Sequence, residues 1–336
     1  MTAPLVTLVV AARNEAHHIT ACLDSIVAQT VGLTQLQVLV VDGRSTDRTR
    51  EIVAAYIAEH GDSIQLLDNA RRITPCAFNL GIKAATAPFV GFVSAHSTLA
   101  PDYVAECLEA LARSGADDVG GPLLMTADGY IAQAIAMATA SPFGVGNANW
   151  RYATEDTFVD TVFPGMYRRE VFDRIGFFDE ELVRNQDDEL NFRLTQSGGK
   201  IFLSPRIKAH YVNRSSPGKL WRQYYQYGYW KVRVIQKRGG ASSWRHFVPA
   251  AFVCAILITI WHGVLFDDHW WAMKGLFTAY GLGATLFAIR SARKDGWQYL
   301  PLLPLLFLCL HLSYGLGFLQ GLRQFSRMVK RNSGLG

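Results

Sequence analysis

Cysteine is scarce in this chain of 336 residues: the five, Cys22, Cys76, Cys107, Cys254 and Cys309, lie at least 31 residues apart and form no CxxC. That excludes a disulfide-stapled miniprotein and offers no cysteine zinc site, so reduced thiols are expected. Charge is sparse too, at 18% of residues against about 25% in soluble domains, while half the chain is apolar. Wholesale disorder is excluded and membrane contact is indicated. No long apolar run occurs before residue 247, and residues 1–11 lack the basic start of a signal peptide, so the first two-thirds is expected in the cytosol. Acid is missing altogether from Leu190 to His246. That stretch holds twelve of the 33 basic residues, so the remaining 21 face 28 acids elsewhere. Bases gathered where the chain meets its apolar part suit the positive-inside rule and anionic headgroups, and argue against nucleic acid as a partner.

What is present begins with three apolar runs. Phe247 to Phe266 has no charge, Trp270 to Ile289 has only Lys274, and Tyr299 to Leu322 has none. Each is long enough for ~30 Å of hydrocarbon at ~1.5 Å per residue. The expected organisation is a catalytic domain over residues 1–215, basic aromatic interfacial helices over 216–246, a membrane region over 247–322 and a basic tail over 323–336. The spans are placed at about 247–266, 270–290 and 299–322. With the first domain inside, span one exits, Asp267 and Asp268 lie outside, and span two returns Arg290, Arg293 and Lys294 to the cytosol. A third crossing would put Arg323, Arg327, Lys330 and Arg331 outside, against the same rule. Pro301, Pro304, Ser313, Gly315 and Gly317 therefore suggest a re-entrant hairpin as the alternative. His311 and Tyr314 within it need partners, either a lipid-linked substrate or neighbouring helices.

The first 122 residues alternate short β-branched runs with amphipathic stretches, the pattern of an α/β fold with a mostly parallel sheet flanked by helices. Strands are expected at Leu5–Ala11, Gln37–Asp42, Ile64–Asp68, Phe89–Val93 and Asp118–Pro122. Helices are expected at Glu15–Gln29, Asp47–Glu59, Pro75–Ala85 and Pro101–Ala112, with Ser45, Thr46 and Asp47 as caps. Ligands of such sheets bind beyond the carboxyl ends of the strands. After Tyr130 the pattern turns irregular, with Gly144, Gly146, Asn147 and Asn149 marking a mobile segment. A second compact stretch runs from Thr161 to Val212. Lys219 to Gly239 then interleaves Trp221, Tyr224, Tyr225, Tyr227, Tyr229 and Trp230 with basic residues, as suits a headgroup plane.

The first turns after strands read Ala11-Ala12-Arg13-Asn14-Glu15 and Asp42-Gly43-Arg44-Ser45-Thr46-Asp47. Singly, each is explained by helix capping. Together with Arg71-Arg72, Asn79-Leu80-Gly81-Ile82, Phe163 to Phe178 (FPGMYRREVFDRIGFF) and Asn185 to Leu194 (NQDDELNFRL), they resemble the family 2 glycosyltransferases of the GT-A nucleotide-sugar-binding fold. The resemblance implies that Ala11, Arg13, Glu15 and Asp42 surround the uracil and ribose of a UDP-sugar, with Arg72 and Asn79 nearby.

Where that family shows Asp-x-Asp, this chain has Ser94-Ala95-His96. Succinoglycan-type exopolysaccharide glucosyltransferases commonly read Asp-Ala-His-Ser here, so His96 and Ser97 fit and Ser94 departs. His96 is the candidate ligand for a divalent metal, Mn or Mg, with Ser94 on the donor side. The rival explanation is a polar loop before Pro101. In Gln186-Asp187-Asp188-Glu189 the family's motif places the general base at Asp187, while Asp188 and Glu189 suit structural roles, with Arg193 as partner. Gly165, Met166 and Tyr167 are expected by resemblance to help line the acceptor side. A Gln-x-x-Arg-Trp motif of processive synthases is matched only loosely at Gln223 to Trp230, where aromatic anchoring suffices.

The expectation is thus an inverting, metal-dependent hexosyltransferase in the inner (plasma) membrane. It would be multi-pass, with a cytoplasmic catalytic domain, a C-terminal transmembrane region and membrane lipids around it. It would move a hexose from a UDP-sugar, UDP-glucose first, to a polyprenyl-diphosphate-linked saccharide in exopolysaccharide or envelope biosynthesis. The alternatives are a polyprenyl-monophosphate sugar transferase and a non-catalytic nucleotide-binding membrane scaffold.

Overall fold

The computed structural model describes residues 3–146, 153–213, 215–241, 243–266 and 270–332. They form two compact units, one of residues 3–125 with 153–212, the other of 126–146 with 213–332.

In the first unit the β-rich runs become parallel strands β1 (Val6–Ala12), β2 (Leu36–Asp42), β3 (Ile64–Asp68) and β4 (Phe89–Ser94). Every residue of β2 is buried, which is why its apolar run is unbroken: helices cover both faces of a parallel sheet. The intervening helices are α1 (Ile19–Val27), α2 (Thr49–His60), α3 (Thr74–Ala84) and α4 (Tyr103–Ser114). Along β1, Leu8 and Val10 enter one core with Ile19, Leu23 and Val38, while Val9 enters the other with Phe78, Phe92 and Val41, the alternation that strand geometry dictates. Helix α3 lies so close to β1 that a Cβ on Gly81 would come within 2.2 Å of Val9 Cγ1.

The sheet is widened by β6 (Asp118–Gly120), within the strand expected at Asp118–Pro122, and by short strands without a pattern of their own, β8 (Thr157–Val159), β9 (Gly165–Arg168) and β10 (Ile201–Leu203), in the order β3-β2-β1-β4-β9-β6-β10-β8. Strand β9 runs antiparallel to β4 and β6, so its Gly165 end lies toward the carboxyl edge of the parallel strands. A small second sheet joins β5 (Ser97–Leu99), β11 (Ala209–Val212) and β7 (Leu123–Thr126). Helices α7 (Glu170–Ile175) and α8 (Gln186–Gln196) complete the unit. The fold is that of GT-A glycosyltransferases.

The second unit is helical, with α5 (Tyr130–Ala140), α6 (Pro142–Val145), α9 (Pro217–Arg238), α10 (Val248–Leu265), α11 (Trp271–Asp295) and α12 (Leu303–Asn332). The stretch after Tyr130, expected to be irregular, is helical through α5 and α6. Its Ala134, Ile135 and Ala138 share a core with Leu220, Ala284, Ala288, Leu306, Phe307 and Leu310, because an alanine-rich uncharged run favours helix once a partner covers it. Asn147, Asn149, Asp267 and Asp268 lie outside the described residues.

Among the described residues, three helices are long and apolar enough to cross a membrane: Val248–Leu265, Trp271–Asp295 and Leu303–Ser326. The third lies within one continuous helix, Leu303–Asn332. Pro304 sits in its first turn, where no backbone donor is required. Its glycines are points of close approach instead of breaks: a Cβ on Gly315 would lie 2.4 Å from the Pro249 carbonyl oxygen, and one on Gly317 2.0 Å from that of Tyr225. His311 bonds between helices, its Nε2 2.8 Å from the Phe143 carbonyl oxygen and its Nδ1 2.9 Å from the Tyr280 hydroxyl.

Candidate active site

The carboxyl ends of β1, β2, β3 and β4 are in step. Ala12 is opposite Asp42, Asp42 opposite Asp68, and Ala11 opposite Ser94, and the ladder continues past the strands through Gly43 N to Ala12 O at 2.8 Å and Asn69 N to Asp42 O at 2.8 Å. The turns after β1 and β2 are laced together. Asn14 N donates to Ser45 Oγ and Thr46 N to Asn14 Oδ1, both at 2.8 Å. Glu15 N donates to Thr49 Oγ1 at 2.8 Å and Ala16 N to Asp47 Oδ2 at 3.1 Å. Asp47 also accepts from the Thr49 hydroxyl and from Thr49 N at 3.0 Å, and these bonds, the hydroxyl's first, hold its carboxyl below the usual range. Ser45 turns inward onto Asp42.

Four non-glycine residues have left-handed backbone, Asn14, Arg44, Arg72 and Asn185, with φ between 54° and 60°. Three follow β1, β2 and β3, and the fourth directly precedes α8. Such conformations cost of order 1 kcal/mol or more and gather where a site demands them.

Asp42 is fully buried. Its carboxylate accepts from Ser45 Oγ at 2.5 Å and from Arg50 Nη1 at 2.9 Å, and Arg50 is 45% exposed on its side chain. Arg44 meanwhile pairs with Asp68 at 3.1 Å and holds that carboxyl below its ordinary range. Ala11 is half-buried at the end of β1, while Arg13 and Arg72 are exposed; Gly43 leaves room for the Arg13 stem to cross it.

His96 Nδ1 lies 3.0 Å from Glu15 Oε1. A carboxylate can only accept, so Nδ1 donates in this bond and Nε2 is the ring nitrogen a metal would take. Ser94 Oγ is 3.2 Å from the ring nitrogens, and the ring edge meets Tyr211 at 4.7 Å between centroids. Among the described residues no three His, Cys, Asp or Glu side chains gather as a preformed metal centre. The donor chemistry nonetheless fits a divalent ion taken on one imidazole oriented by a carboxylate and completed by substrate phosphates. Cys22 beneath is no nucleophile, since burial and then the nearby Glu15 charge push its thiol up to about 12.

Asn79 is engaged elsewhere than the donor side. Its Nδ2 donates to Phe178 O and Glu180 Oε1 and its Oδ1 accepts from Phe178 N, each at 2.9 Å. Met166 and Tyr167 are buried in the core, which removes their side chains from the acceptor side. Tyr167 instead donates to Asn191 Oδ1 at 2.6 Å, and Asn191 donates to Thr161 Oγ1 at 2.9 Å. Asp187 lies one turn before Asn191 on α8. Burial, then the charges of Asp118 and Asp187, raise the Tyr167 hydroxyl well above its usual range, which puts Asp187 within electrostatic reach of that strut. Glu189 pairs with Arg193 at 2.7 Å, and Arg193 also caps Phe177 O at 2.7 Å, the structural role expected of it. Arg50, Asp68, Tyr211 and Asn191 were not singled out by sequence. Asp68 was within reach, since it ends β3 as Asp42 ends β2.

The family model "Glycosyl transferase family 2" matches residues 7–176, and the chain belongs to that family. A Methanococcus voltae protein named dolichyl N-acetyl-alpha-D-glucosaminyl phosphate 3-beta-D-2,3-diacetamido-2,3-dideoxy-beta-D-glucuronosyltransferase is 29% identical over 98% of each chain. The succinoglycan biosynthesis protein ExoA of Rhizobium meliloti is 27% identical over 96% of each. Among solved structures, the mannosyltransferase PcManGT of Pyrobaculum calidifontis in complex with GDP-Man and Mn2+ superposes with a TM-score of 0.60 at 21% identity, over 95% of this chain and 88% of that one; this similarity concerns the fold.

Proposed function

We propose that the protein is an inverting, metal-dependent hexosyltransferase that moves a sugar from UDP to a saccharide joined through phosphate to a polyprenyl lipid, in exopolysaccharide or envelope assembly. The single observation carrying this is the convergence of Glu15, Asp42, Ser94 and His96 on one strand edge. The relatives add the acceptor class: over nearly the full chain, one is named for a dolichyl-phosphate-linked sugar and another for succinoglycan synthesis. Three helices able to cross a membrane fit an acceptor held in a bilayer, the inner membrane with the catalytic unit cytoplasmic.

In this proposal Arg50 swings off Asp42, freeing that carboxylate to accept from the base, with Ala11, Arg13, Glu15 and Arg72 around the nucleoside. A divalent ion, Mn or Mg, supplies charge neutralisation on the leaving diphosphate, with His96 as its protein ligand. Asp187 takes the proton of the acceptor hydroxyl as the new glycosidic bond forms on the opposite face of the sugar. One base suffices for inversion, whereas retention would need a second, opposed carboxylate.

The test is transfer from UDP-, GDP- and other nucleotide sugars to polyprenyl-linked and to water-soluble acceptors, with purified protein in detergent. Asp187→Asn should cut turnover by about 10²-fold or more while donor binding persists, and His96→Ala should weaken the metal dependence of donor binding. Substantial activity in Asp187→Asn would favour phosphate as the attacking group. Nucleotide binding without metal dependence or turnover would favour a scaffold.

A further inference from the structure

Helix α12 is apolar enough to cross a bilayer, yet its neighbours are those of a helix lying at the bilayer's edge. Along α9 it is in step: Cys309 Sγ contacts Pro217 O across 92 residues, Gly317 abuts the Tyr225 carbonyl, Gly321 the Tyr229 carbonyl, and Arg233 stands 5.9 Å over the Phe325 ring. The two helices therefore run parallel with a constant offset. Were Leu303–Ser326 a crossing, Arg222 would sit level with Tyr314 at mid-span, and Lys219, level with His311, would also lie within the hydrocarbon. Helix α9 carries six Lys or Arg and no Asp or Glu, and a bilayer interior disfavours such charges.

The contacts with α10 agree: Gly315 meets Pro249 and Val253, and Phe318 meets Phe247, all in the first turns of α10, while His311 reaches Tyr280 on α11. Farther along α10, Leu257, Ile258, Trp261 and Val264 are exposed, as are Trp271, Phe277 and Leu282 on α11. Only 17% and 11% of the apolar windows of α10 and α11 are buried within the protein, against 44% for α12. One face of α12 is covered by protein, with Phe307, Leu310, Phe318 and Phe325 at most 2% exposed, while Leu305, Leu316 and Leu322 are exposed.

We propose that the chain crosses the membrane twice, by α10 and α11, and that α12 lies with α9 in the headgroup plane as one basic, aromatic platform for anionic lipid. This rests on the membrane-bound reading above. The C-terminal bases Arg323, Arg327, Lys330 and Arg331 then stay on the same side as α9, which removes the conflict that a third crossing creates with the positive-inside rule.

The experiment places Lys237→Cys on α9 and Gln324→Cys on α12, both exposed positions, in full-length protein in bacterial membranes. A membrane-impermeant maleimide is applied to right-side-out and to inverted vesicles, with the wild-type cysteines as baseline. Both added thiols should label in inverted vesicles only, and protease should remove a C-terminal epitope tag in that orientation alone. Labelling of Gln324→Cys, or loss of the tag, in right-side-out vesicles would overturn the two-crossing topology. Release of the wild-type chain by alkaline carbonate would instead sink the membrane reading itself.

Discussion

Replacing Asn79 by alanine separates a strut from a donor contact. The side chain is 4% exposed and makes three bonds of 2.9 Å, closing the Phe178 N–H and carbonyl and reaching Glu180. Each bond is worth about 1 kcal/mol net, and a buried backbone group left unpaired costs about 1–3 kcal/mol. Asn79→Ala should therefore destabilise by about 2–4 kcal/mol, lowering the Tm by about 5–15 °C for a unit of this size. Asn79→Asp should be worse, because an oxygen replaces the amide between the Phe178 carbonyl and the Glu180 carboxylate. At present that amide is the foremost cause holding the Glu180 carboxyl below its usual range. Thermal unfolding of the full chain in detergent, followed by intrinsic fluorescence, reads the loss, and nucleotide titration should give a donor Kd within about twofold of wild type. An unchanged Tm with donor binding more than tenfold weaker would refute the strut and return Asn79 to the donor contact that the family resemblance implies.

Asp118 is fully buried, and burial drives its carboxyl well above the usual range. Between the unfolded value near 4 and the raised folded value the folded state holds the extra proton, so stability falls by ~1.4 kcal/mol per pH unit as pH rises. Asp118→Asn should flatten that part of the Tm profile above pH 4, and parallel profiles for the two proteins would be the contrary result. Gly81→Ala should cost about 1–3 kcal/mol by overpacking Val9, and Val9→Ala in the same chain should recover part of the loss. Strict additivity in that double-mutant cycle would deny the contact.

The strand ends were legible because buried parallel strands are nearly all apolar, so Val38 to Val41 announces itself and the site residues must follow. Strand β6 was legible as Asp118–Pro122, whereas β8, β9 and β10, at three or four residues each, are too brief to show a period. Tyr167 and Asn191 are 24 residues apart, and nothing local marks two polar side chains in a core as each other's partner. The same gap between local signal and tertiary meaning explains α12. Pro304, Gly315 and Gly317 carry the breaker chemistry of loops, and a sequence window cannot tell a proline in a first turn, or a glycine under a neighbour's carbonyl, from a break. What separates them is the opposing backbone. Thus Gly228, Gly317 and Gly321, which a linear reading spends on flexibility, are where α9 and α12 approach most closely. A bulky substitution such as Gly317→Leu would press the side chain into the Tyr225 carbonyl and force the two helices apart.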